Sequence, residues 1–203
     1  MKVKHNNAFS KIYNFNSVEN IPENILQNEQ TDLVVTSPPY GDSRTTVAYG
    51  QFSRLANQWL GYNEASQVDN MLMGGFKNKE NKKFYSVSLN NTLDKIYSKD
   101  AIRCNDVASF FSDYNKSIKN VSKVIKRGKF ACYVVGNRTV KGISIPTDEI
   151  TKDFFEENEF KHIETIIRNI PNKRMPSENA PSNIKGEKGS TMKNEYIVVC
   201  QKL

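Results

Sequence analysis

The sequence has no long apolar run, and it contains few cysteines and histidines. None of its apolar stretches approaches the ~20 residues needed to cross a bilayer, and its amino terminus lacks the apolar segment of a secretory signal. Cys104, Cys132 and Cys200 are far apart and form no CxxC pair, which is typical of reduced thiols in a cytosolic protein. His5 and His162 are far apart in sequence, so we expect no metal site. These absences predict a soluble, cytoplasmic protein with no membrane partner.

Length and charge narrow the function further. A chain of 203 residues suffices for one domain with a hydrophobic core and is short for two. A net charge of +7 favours a polyanionic partner, because each phosphate that Lys or Arg neutralises releases counterions. Many basic proteins bind no nucleic acid, so the charge alone does not decide this. We expect a single domain over 1–203, with an insertion at 63–87 that is either a mobile target-recognition element or a solvated spacer.

The most informative stretch is a short apolar strand that ends in a polar residue, two prolines and an aromatic. Leu33, Val34 and Val35 predict a strand buried on both faces, as in a parallel sheet. Pro38 and Pro39 then exclude a helix and a strand ladder. The carbonyls of this rigid loop can accept hydrogen bonds from a ligand. The carboxyl end of a strand is where open α/β sheets bind ligands.

The motif from Thr36 to Tyr40 resembles the catalytic motif of the amino-group DNA methyltransferases, in which Ser, Asp or Asn precedes Pro-Pro and an aromatic. The alternative is a proline-rich turn after a core strand. The resemblance implies that Ser37, Pro38, Pro39 and Tyr40 are catalytic. Ser37 and the Pro38 carbonyl would accept the two N–H groups of an amine on a flipped-out base, and Tyr40 would stack on that base.

The resemblance also implies the target and the methyl donor. Serine at the first position is similar to the cytosine-N4 enzymes, and Asp or Asn to the adenine-N6 enzymes, so adenine is the alternative target. The donor in this family is S-adenosylmethionine, which implies cofactor contacts from Thr36, Asn16 and Ser17. A cap at the start of a helix is an equally good interpretation of Asn16 or Ser17.

No glycine-rich turn for that cofactor is present in the sequence. The family has an aromatic followed by Gly-x-Gly after a strand, whereas Gly74-Gly75 and Gly186-x-x-Gly189 stand in other contexts. The resemblance therefore covers the catalytic half of the family's fold. We expect a second subunit to carry the cofactor-binding half, so that the active enzyme is a heterodimer. We expect the enzyme to methylate double-stranded DNA as part of a restriction-modification system.

Basic residues in two loops are candidates for phosphate contact. Arg44 lies in the polar loop after the motif, where a solvated loop charge is the alternative. A long basic loop at 171–193 joins the last two predicted strands, and a disordered surface loop is the alternative there. Its candidate DNA-binding residues are Lys173, Arg174, Lys185 and Lys188.

The pattern along the chain predicts an α/β fold. Helical periodicity over 88–126 predicts two helices joined near Asp100, and the strand at 130–137 follows a Gly128 stop. Trp59 is expected to lie in the core. A helix at 147–157 and strands near 162–170 and 195–200 complete a Rossmann-like methyltransferase sheet that closes with antiparallel strands.

Two other classes of function are compatible with the sequence. An RNA or protein glutamine methyltransferase uses a related Asn-Pro-Pro-Tyr loop, but Ser37 replaces the amide that recognises those substrates. A non-catalytic DNA-binding or regulatory subunit is compatible with the missing cofactor turn. Alanine at Ser37 or Tyr40 separates them, since a binding module keeps its activity and an enzyme loses methyl transfer.

Overall fold

The computed structural model describes residues 10–28, 30–42, 49–77, 83–170 and 192, the last strand and terminus at 194–203, and two short strands at 178–179 and 189–190. The helices are α1 (Glu23–Asn28), α2 (Tyr49–Trp59), α3 (Val68–Met71), α4 (Val87–Tyr97), α5 (Ala101–Val124) and α6 (Thr147–Glu157), with a 3-10 turn at Ala65–Gln67. The strands are β1 (Thr31–Thr36), β2 (Ile125–Val135), β3 (Arg138–Val140), β4 (Ile143–Ile145), β5 (Phe160–Asn169), β6 (Glu178–Asn179), β7 (Gly189–Ser190) and β8 (Asn194–Lys202).

The main sheet has four strands in the order β1-β2-β8-β5. β1 and β2 are parallel, and β8 runs antiparallel to both β2 and β5. This mixed sheet with antiparallel closing strands confirms the predicted fold class. The parallel pair places the carboxyl ends of β1 and β2 at the same edge, so the residues that follow them meet there.

One face of the sheet carries the core. Ala131, Tyr133 and Val135 on β2 alternate inward, and Val198 and Cys200 on β8 share that face through their register with Tyr133 and Ala131. α5 and α6 cover this face with a cluster of aromatic rings. The ring centroids of Tyr133 and Phe155 lie 4.9 Å apart in an edge-to-face arrangement. The fully buried rings of this cluster are Phe110, Phe111, Tyr114, Phe154 and Phe155.

The described residues leave the other face of the sheet largely uncovered. Leu33 and Val35 on β1 are 53% and 66% exposed, so the prediction of a strand buried on both faces is wrong for the described residues. Their register partners continue the same face across the sheet, because residues opposite each other in a ladder point the same way. The apolar side chains of this bare face include Leu33, Val35, Phe130, Cys132, Val134, Ile166, Ile197 and Val199, and Glu164 and Gln201 share the face.

Helix α2 also turns apolar side chains outward. Phe52, Leu55 and Trp59 recur at helical spacing, and Trp59 is 92% exposed, which makes its predicted place in the core wrong. The spacing correctly indicated an amphipathic helix. Periodicity shows that a helix has an apolar stripe, but it does not show whether the described part of the chain covers that stripe.

The junction between α5 and β2 also differs from the prediction. α5 ends at Val124, and β2 begins directly at Ile125, whose extended backbone ends the helix. Gly128, with φ of 75°, therefore lies within β2 and does not stop the helix. It occupies the irregular stretch where the β1–β2 register shifts from Thr31–Ile125 to Leu33–Phe130. Glycine adopts this left-handed conformation without strain.

Candidate functional site

A rigid loop leaves the carboxyl end of β1 and places the four motif residues at the surface. Ser37 is exposed, and Pro38, Pro39 and Tyr40 are partly buried. The loop then turns inward, where Asp42 is buried. The sequence prediction that these residues form an accessible corner at the end of a strand is therefore consistent with their positions, whereas their catalytic roles stay a prediction.

The Ser37 hydroxyl points its hydrogen into the protein. Ser37 Oγ lies 3.2 Å from the carbonyl oxygen of Val134 and 3.3 Å from Tyr40 Oη, so its single hydrogen has two acceptors within the protein. Val134 belongs to β2, so the parallel pairing of β1 and β2 fixes this contact. A hydroxyl has one hydrogen and two lone pairs. With the hydrogen used internally, the lone pairs of Ser37 are left to accept from a ligand.

The Tyr40 hydroxyl is held by a carboxylate on β8. Tyr40 Oη donates to Glu195 Oε1 at 3.0 Å, and the other oxygen of Glu195 lies 3.6 Å from Nη1 of Arg168 on β5. Burial raises the pKa of Tyr40, and the hydrogen bond and charge of Glu195 raise it further. The phenol is therefore neutral and remains a hydrogen-bond donor at pH 7.

A glycine lets the Tyr40 ring approach β2. A Cβ atom added to Gly136 would lie 3.0 Å from Tyr40 Cδ2 and would collide with the sulfur of Met192. Any side chain at this position would displace the ring or the methionine. Gly136 directly follows a buried strand, and a glycine in this position is a sign of a close approach by another part of the chain.

Asp42 anchors the far end of the loop. Its carboxylate lies 3.3 Å from Nη1 of Arg138 and 3.4 Å from Nη2 of Arg103. Burial lowers the pKa of Arg138 and the charge of Asp42 raises it again. Asp42 itself is 1% exposed and belongs to this ion-pair cluster.

The predicted cofactor residues are divided between two places. Thr36 ends β1 and pairs with Tyr133 of β2, next to the motif. Asn16 and Ser17 form a turn, in which Asn16 Oδ1 accepts from the amide of Val18 at 3.0 Å. Ser17 Oγ shares a hydrogen bond of 2.8 Å with Ser117 of α5. No described helix begins at Asn16 or Ser17, so these contacts stabilise a turn and form no helix cap. The cofactor role of all three residues stays a prediction.

Asn16 also lines a surface cavity of about 420 Å³ between the amino-terminal turn, the end of α3 and α5. Residues 36–40 are not among those that line it. The lining residues are Asn16, Val18, Glu19, Met71, Leu72, Met73, Phe76, Lys77, Asp113 and Lys116.

The predicted phosphate contacts fall outside the described residues. This applies to Arg44, Lys173, Arg174, Lys185 and Lys188. The insertion at 63–87 is described except for 78–82, and within it Gly74 packs so closely on Asp42 and Phe110 that an added Cβ would lie 3.0 Å from Asp42 Cβ. Within the described part of the chain, no group of three or more His, Cys, Asp or Glu side chains is arranged to hold a metal ion. No described helix is long and apolar enough to cross a membrane.

Comparisons with known proteins agree with the motif. The family model for the N6/N4 methyltransferases, described as DNA methylase, matches residues 31–203. The type II methyltransferase M.MvaI of Kocuria varians is 42% identical over 205 aligned residues, which cover 93% of this chain and 44% of that protein. The chain therefore spans less than half the length of this curated relative.

Solved structures show a weaker likeness. The Thermus thermophilus protein TTHA0409, assigned as a DNA modification methylase, has a TM-score of 0.44 at 16% identity over 93% of this chain and 52% of that chain. Its complex with S-adenosyl-L-methionine has a TM-score of 0.43 at 15% identity over 92% of this chain and 53% of that chain. These values are too low to locate site residues by superposition.

Proposed function

We propose that this chain, which belongs to the N6/N4 DNA methylase family, forms the amine-binding half of a DNA methyltransferase. The observation that carries the proposal is the exposed Ser37 hydroxyl, whose hydrogen is directed to Val134 and Tyr40 and whose lone pairs are left to accept. The position of this serine, at the carboxyl end of a parallel strand, suits a ligand site in an α/β sheet.

Ser37 and Pro38 activate the target amine in the proposed mechanism. An exocyclic amine on a nucleobase is a weak nucleophile because its lone pair is delocalised into the ring. Ser37 Oγ and the Pro38 carbonyl accept its two N–H groups and draw the nitrogen towards tetrahedral geometry, which localises the lone pair for attack. The two prolines hold both acceptors in place, so the amine is oriented before it reacts.

Tyr40 supports the base in the same mechanism. DNA buries its amino groups in the base stack, so the target nucleotide is flipped out of the duplex. An aromatic ring that stacks on the extruded base contributes ~1–3 kcal/mol. The hydrogen bond from Tyr40 to Glu195 fixes the orientation of that ring.

Cytosine N4 is the proposed target, and adenine N6 is the second candidate. Serine presents a neutral hydroxyl, and the direction of its hydrogen makes it an acceptor for either amine. The preference for cytosine comes from serine at the first motif position, which is similar to the cytosine-N4 enzymes. A role in restriction-modification accompanies this proposal, since the relative from Kocuria varians is a type II methyltransferase.

S-adenosylmethionine, the methyl donor of this family, would supply an electrophilic sulfonium methyl group to the bound amine. The described residues do not fit the whole cofactor. The strand beside the motif, β1, is followed by the diproline loop and not by a glycine-rich turn, and Asn16 and Ser17 are engaged with neighbouring residues. This lack of fit supports a separate cofactor-binding half.

The uncovered parts of the sheet support the presence of that half. Among the described strands, β1 is the edge strand of the main sheet and pairs on one side only, and the bare face begins with its exposed Leu33 and Val35. Parallel sheets are normally covered on both faces. We propose that a strand of the cofactor-binding half pairs with β1 while its helices cover the bare face. The cofactor-binding half would contact the same surface, β1 and the bare face, as a second subunit or as a continuation of the same polypeptide.

Double-stranded DNA is the proposed substrate. The net charge of +7 supports a polyanionic partner, and the basic residues at 171–193 remain the proposed phosphate contacts together with Arg44. A non-catalytic DNA-binding subunit is the candidate from another class, and the missing cofactor turn favours it. The loss of methyl transfer on substitution of the motif separates the two.

The decisive experiment measures the methylated nucleoside. The chain assembled with its cofactor-binding half is incubated with duplex DNA and S-adenosylmethionine, and the digested DNA is analysed by mass spectrometry. Replacing Ser37 with Ala removes one acceptor, so we expect methyl transfer to fall by roughly 100-fold, as when one stabilising hydrogen bond is removed from an active site. Tyr40→Ala should reduce it as well, while both variants keep most of their DNA affinity.

Ser144→Ala is the matched control, because Ser144 is exposed on β4 and outside the motif. N4-methyldeoxycytidine as the product supports the cytosine assignment, and N6-methyldeoxyadenosine replaces it with the second candidate. If Ser37→Ala and Tyr40→Ala methylate DNA as fast as Ser144→Ala, the catalytic role of the motif is refuted.

A further inference from the structure

A chain of hydrogen bonds leads from the motif serine to a carboxylate on another strand. Ser37 Oγ donates to Tyr40 Oη at 3.3 Å, and Tyr40 Oη donates to Glu195 Oε1 at 3.0 Å. Tyr40 and Glu195 are 155 residues apart in sequence, so the contact depends on the placement of β8 in the sheet.

The carboxylate fixes the direction of every hydrogen in this chain. An ionised carboxylate can only accept, so the single hydroxyl hydrogen of Tyr40 is committed to Glu195. The oxygen of Tyr40 is then an acceptor on the side that faces Ser37. The Ser37 hydrogen has two internal acceptors, Tyr40 Oη and the Val134 carbonyl, and neither choice turns it towards the solvent.

We propose that Glu195 is a positioning residue for methyl transfer, which holds the Tyr40 ring and keeps Ser37 an acceptor for the target amine. This role rests on the proposed function and adds to it a residue outside the motif. A hydrogen bond to a charged group is stronger than one between neutral groups, so Glu195 restrains the tyrosine more firmly than a neutral side chain could.

Arg168 is the partner that orients Glu195. Its Nη1 lies 3.6 Å from Glu195 Oε2, and the two residues are directly opposite each other in the β5–β8 ladder. The Arg168 side chain is 63% exposed, whereas that of Glu195 is 18% exposed. The pair therefore leaves the other oxygen of a mostly buried carboxylate free to receive Tyr40.

The contact can be tested on the chain alone through the ionisation of Tyr40. The phenolate absorbance is followed against pH in the wild type and in Tyr40→Phe, and the difference gives the titration of Tyr40. Because Glu195 raises the pKa of Tyr40, Glu195→Gln should lower that pKa, and Glu195→Asp, which keeps the charge, should lower it less. Glu156→Gln is the matched control, since it removes one exposed carboxylate from α6, away from the bare face.

The positioning role is tested by kinetics on the assembled enzyme. Glu195→Gln should reduce kcat by roughly tenfold to a hundredfold, as expected for a small misplacement of a reacting group, with little change in the KM for DNA. Tyr40→Phe can still stack but cannot bond Glu195, so it should cause a similar loss. The double variant should be no slower than either single variant, because both substitutions remove the same contact.

The outcomes distinguish this role from the function on which it rests. A kcat for Glu195→Gln equal to that for Glu156→Gln, with the wild type active, overturns the positioning role alone. An unchanged Tyr40 pKa in Glu195→Gln overturns the contact itself. If the wild-type assembly transfers no methyl group to DNA, the proposed function fails and the positioning role fails with it, even when the Tyr40 titration responds to Glu195.

Discussion

At the scale of single residues, the buried Asp42 cluster determines how firmly the motif loop is held. Asp42→Asn keeps the shape of the side chain but removes the charge that faces Arg103 and Arg138. Breaking a buried ion pair from one side leaves a charge uncompensated, which typically costs ~3–5 kcal/mol. We expect a loss of this order in the free energy of unfolding, measured by urea denaturation of the chain.

Asp32→Asn is the control for this prediction. Asp32 also meets two cations, Lys126 and Lys129 at 3.3 Å each, but its side chain is 61% exposed. Solvent screens such a pair, so its removal should hardly change the urea midpoint. Equal effects of the two substitutions would show that the Asp42 cluster does not hold the loop.

At the scale of residues, the sequence could propose a site only where its members are neighbours in the chain. The serine, the prolines and Tyr40 are consecutive, so their order alone indicated a possible site, and the structure places them together at the surface. Glu195 and Arg103 could not be found in this way. They reach the loop from β8 and α5, and nothing in their local sequence indicates which loop the folded sheet brings to them.

At the scale of elements, α5 starts at a well-formed cap that makes its stability depend on pH. The Asp100 side chain accepts from the amide of Arg103 at 2.9 Å, and it lies 2.9 Å from Lys141 Nζ. The Arg103 amide, followed by Lys141, lowers the pKa of Asp100. A carboxyl whose pKa is lower in the folded state stabilises the fold above its ordinary pKa, and this stabilisation is lost as the pH falls through the folded value.

We expect Asp100→Ala to lower the Tm at pH 7, and Asp100→Asn to lower it less because asparagine also caps helices well. The differences from the wild type that depend on charge should disappear at a pH below the folded pKa of Asp100. Thermal unfolding followed by circular dichroism at both pH values measures this. Asp94→Ala, an exposed position inside α4, is the control. A wild-type advantage over Asp100→Asn that persists at the low pH would contradict the assigned cause.

The prediction of helices and strands was most accurate for elements whose apolar side chains pack against other elements of the same domain. The long helical pattern that became α4 and α5 is covered by layers of the same domain, so its apolar stripe and its break near Asp100 agreed with the outcome. α2 and β1 have equally clear apolar patterns, yet their side chains are exposed. An apolar pattern indicates that a face of a helix or strand packs against another layer. It does not indicate which part of the chain, or which partner, provides that layer.

At the scale of the whole molecule, the described residues differ from a typical α/β domain chiefly in the bare face, because helices normally cover both faces of such a sheet. Burying a Leu or Val side chain contributes about 1.5–3 kcal/mol, so half-exposed Leu33 and Val35 would each gain part of this when covered. A partner that also pairs with β1, which is the edge strand among the described strands, would satisfy its unpaired backbone groups as well. This combination of an open edge and an apolar face supports the proposed cofactor-binding half.

Substituting Leu33 and Val35 together by Thr tests this proposal. Threonine suits a strand, so the chain should remain folded by circular dichroism. Its affinity for the cofactor-binding half should fall by roughly 100-fold, because losing about 2–3 kcal/mol of apolar burial corresponds to that factor. Sedimentation velocity measures assembly, and calorimetry measures S-adenosylmethionine binding, which we expect for the wild-type assembly and not for the chain alone.

Val87→Thr is the matched control, because Val87 is 68% exposed on α4, which packs on the opposite side of the sheet. It makes the same chemical change as at Val35 but should leave assembly intact. Micromolar binding of S-adenosylmethionine by the wild-type chain alone would refute the need for a second half. Assembly that is equally strong in the Leu33 and Val35 double variant would place the contact elsewhere, because a half that docks against β1 cannot avoid these two side chains.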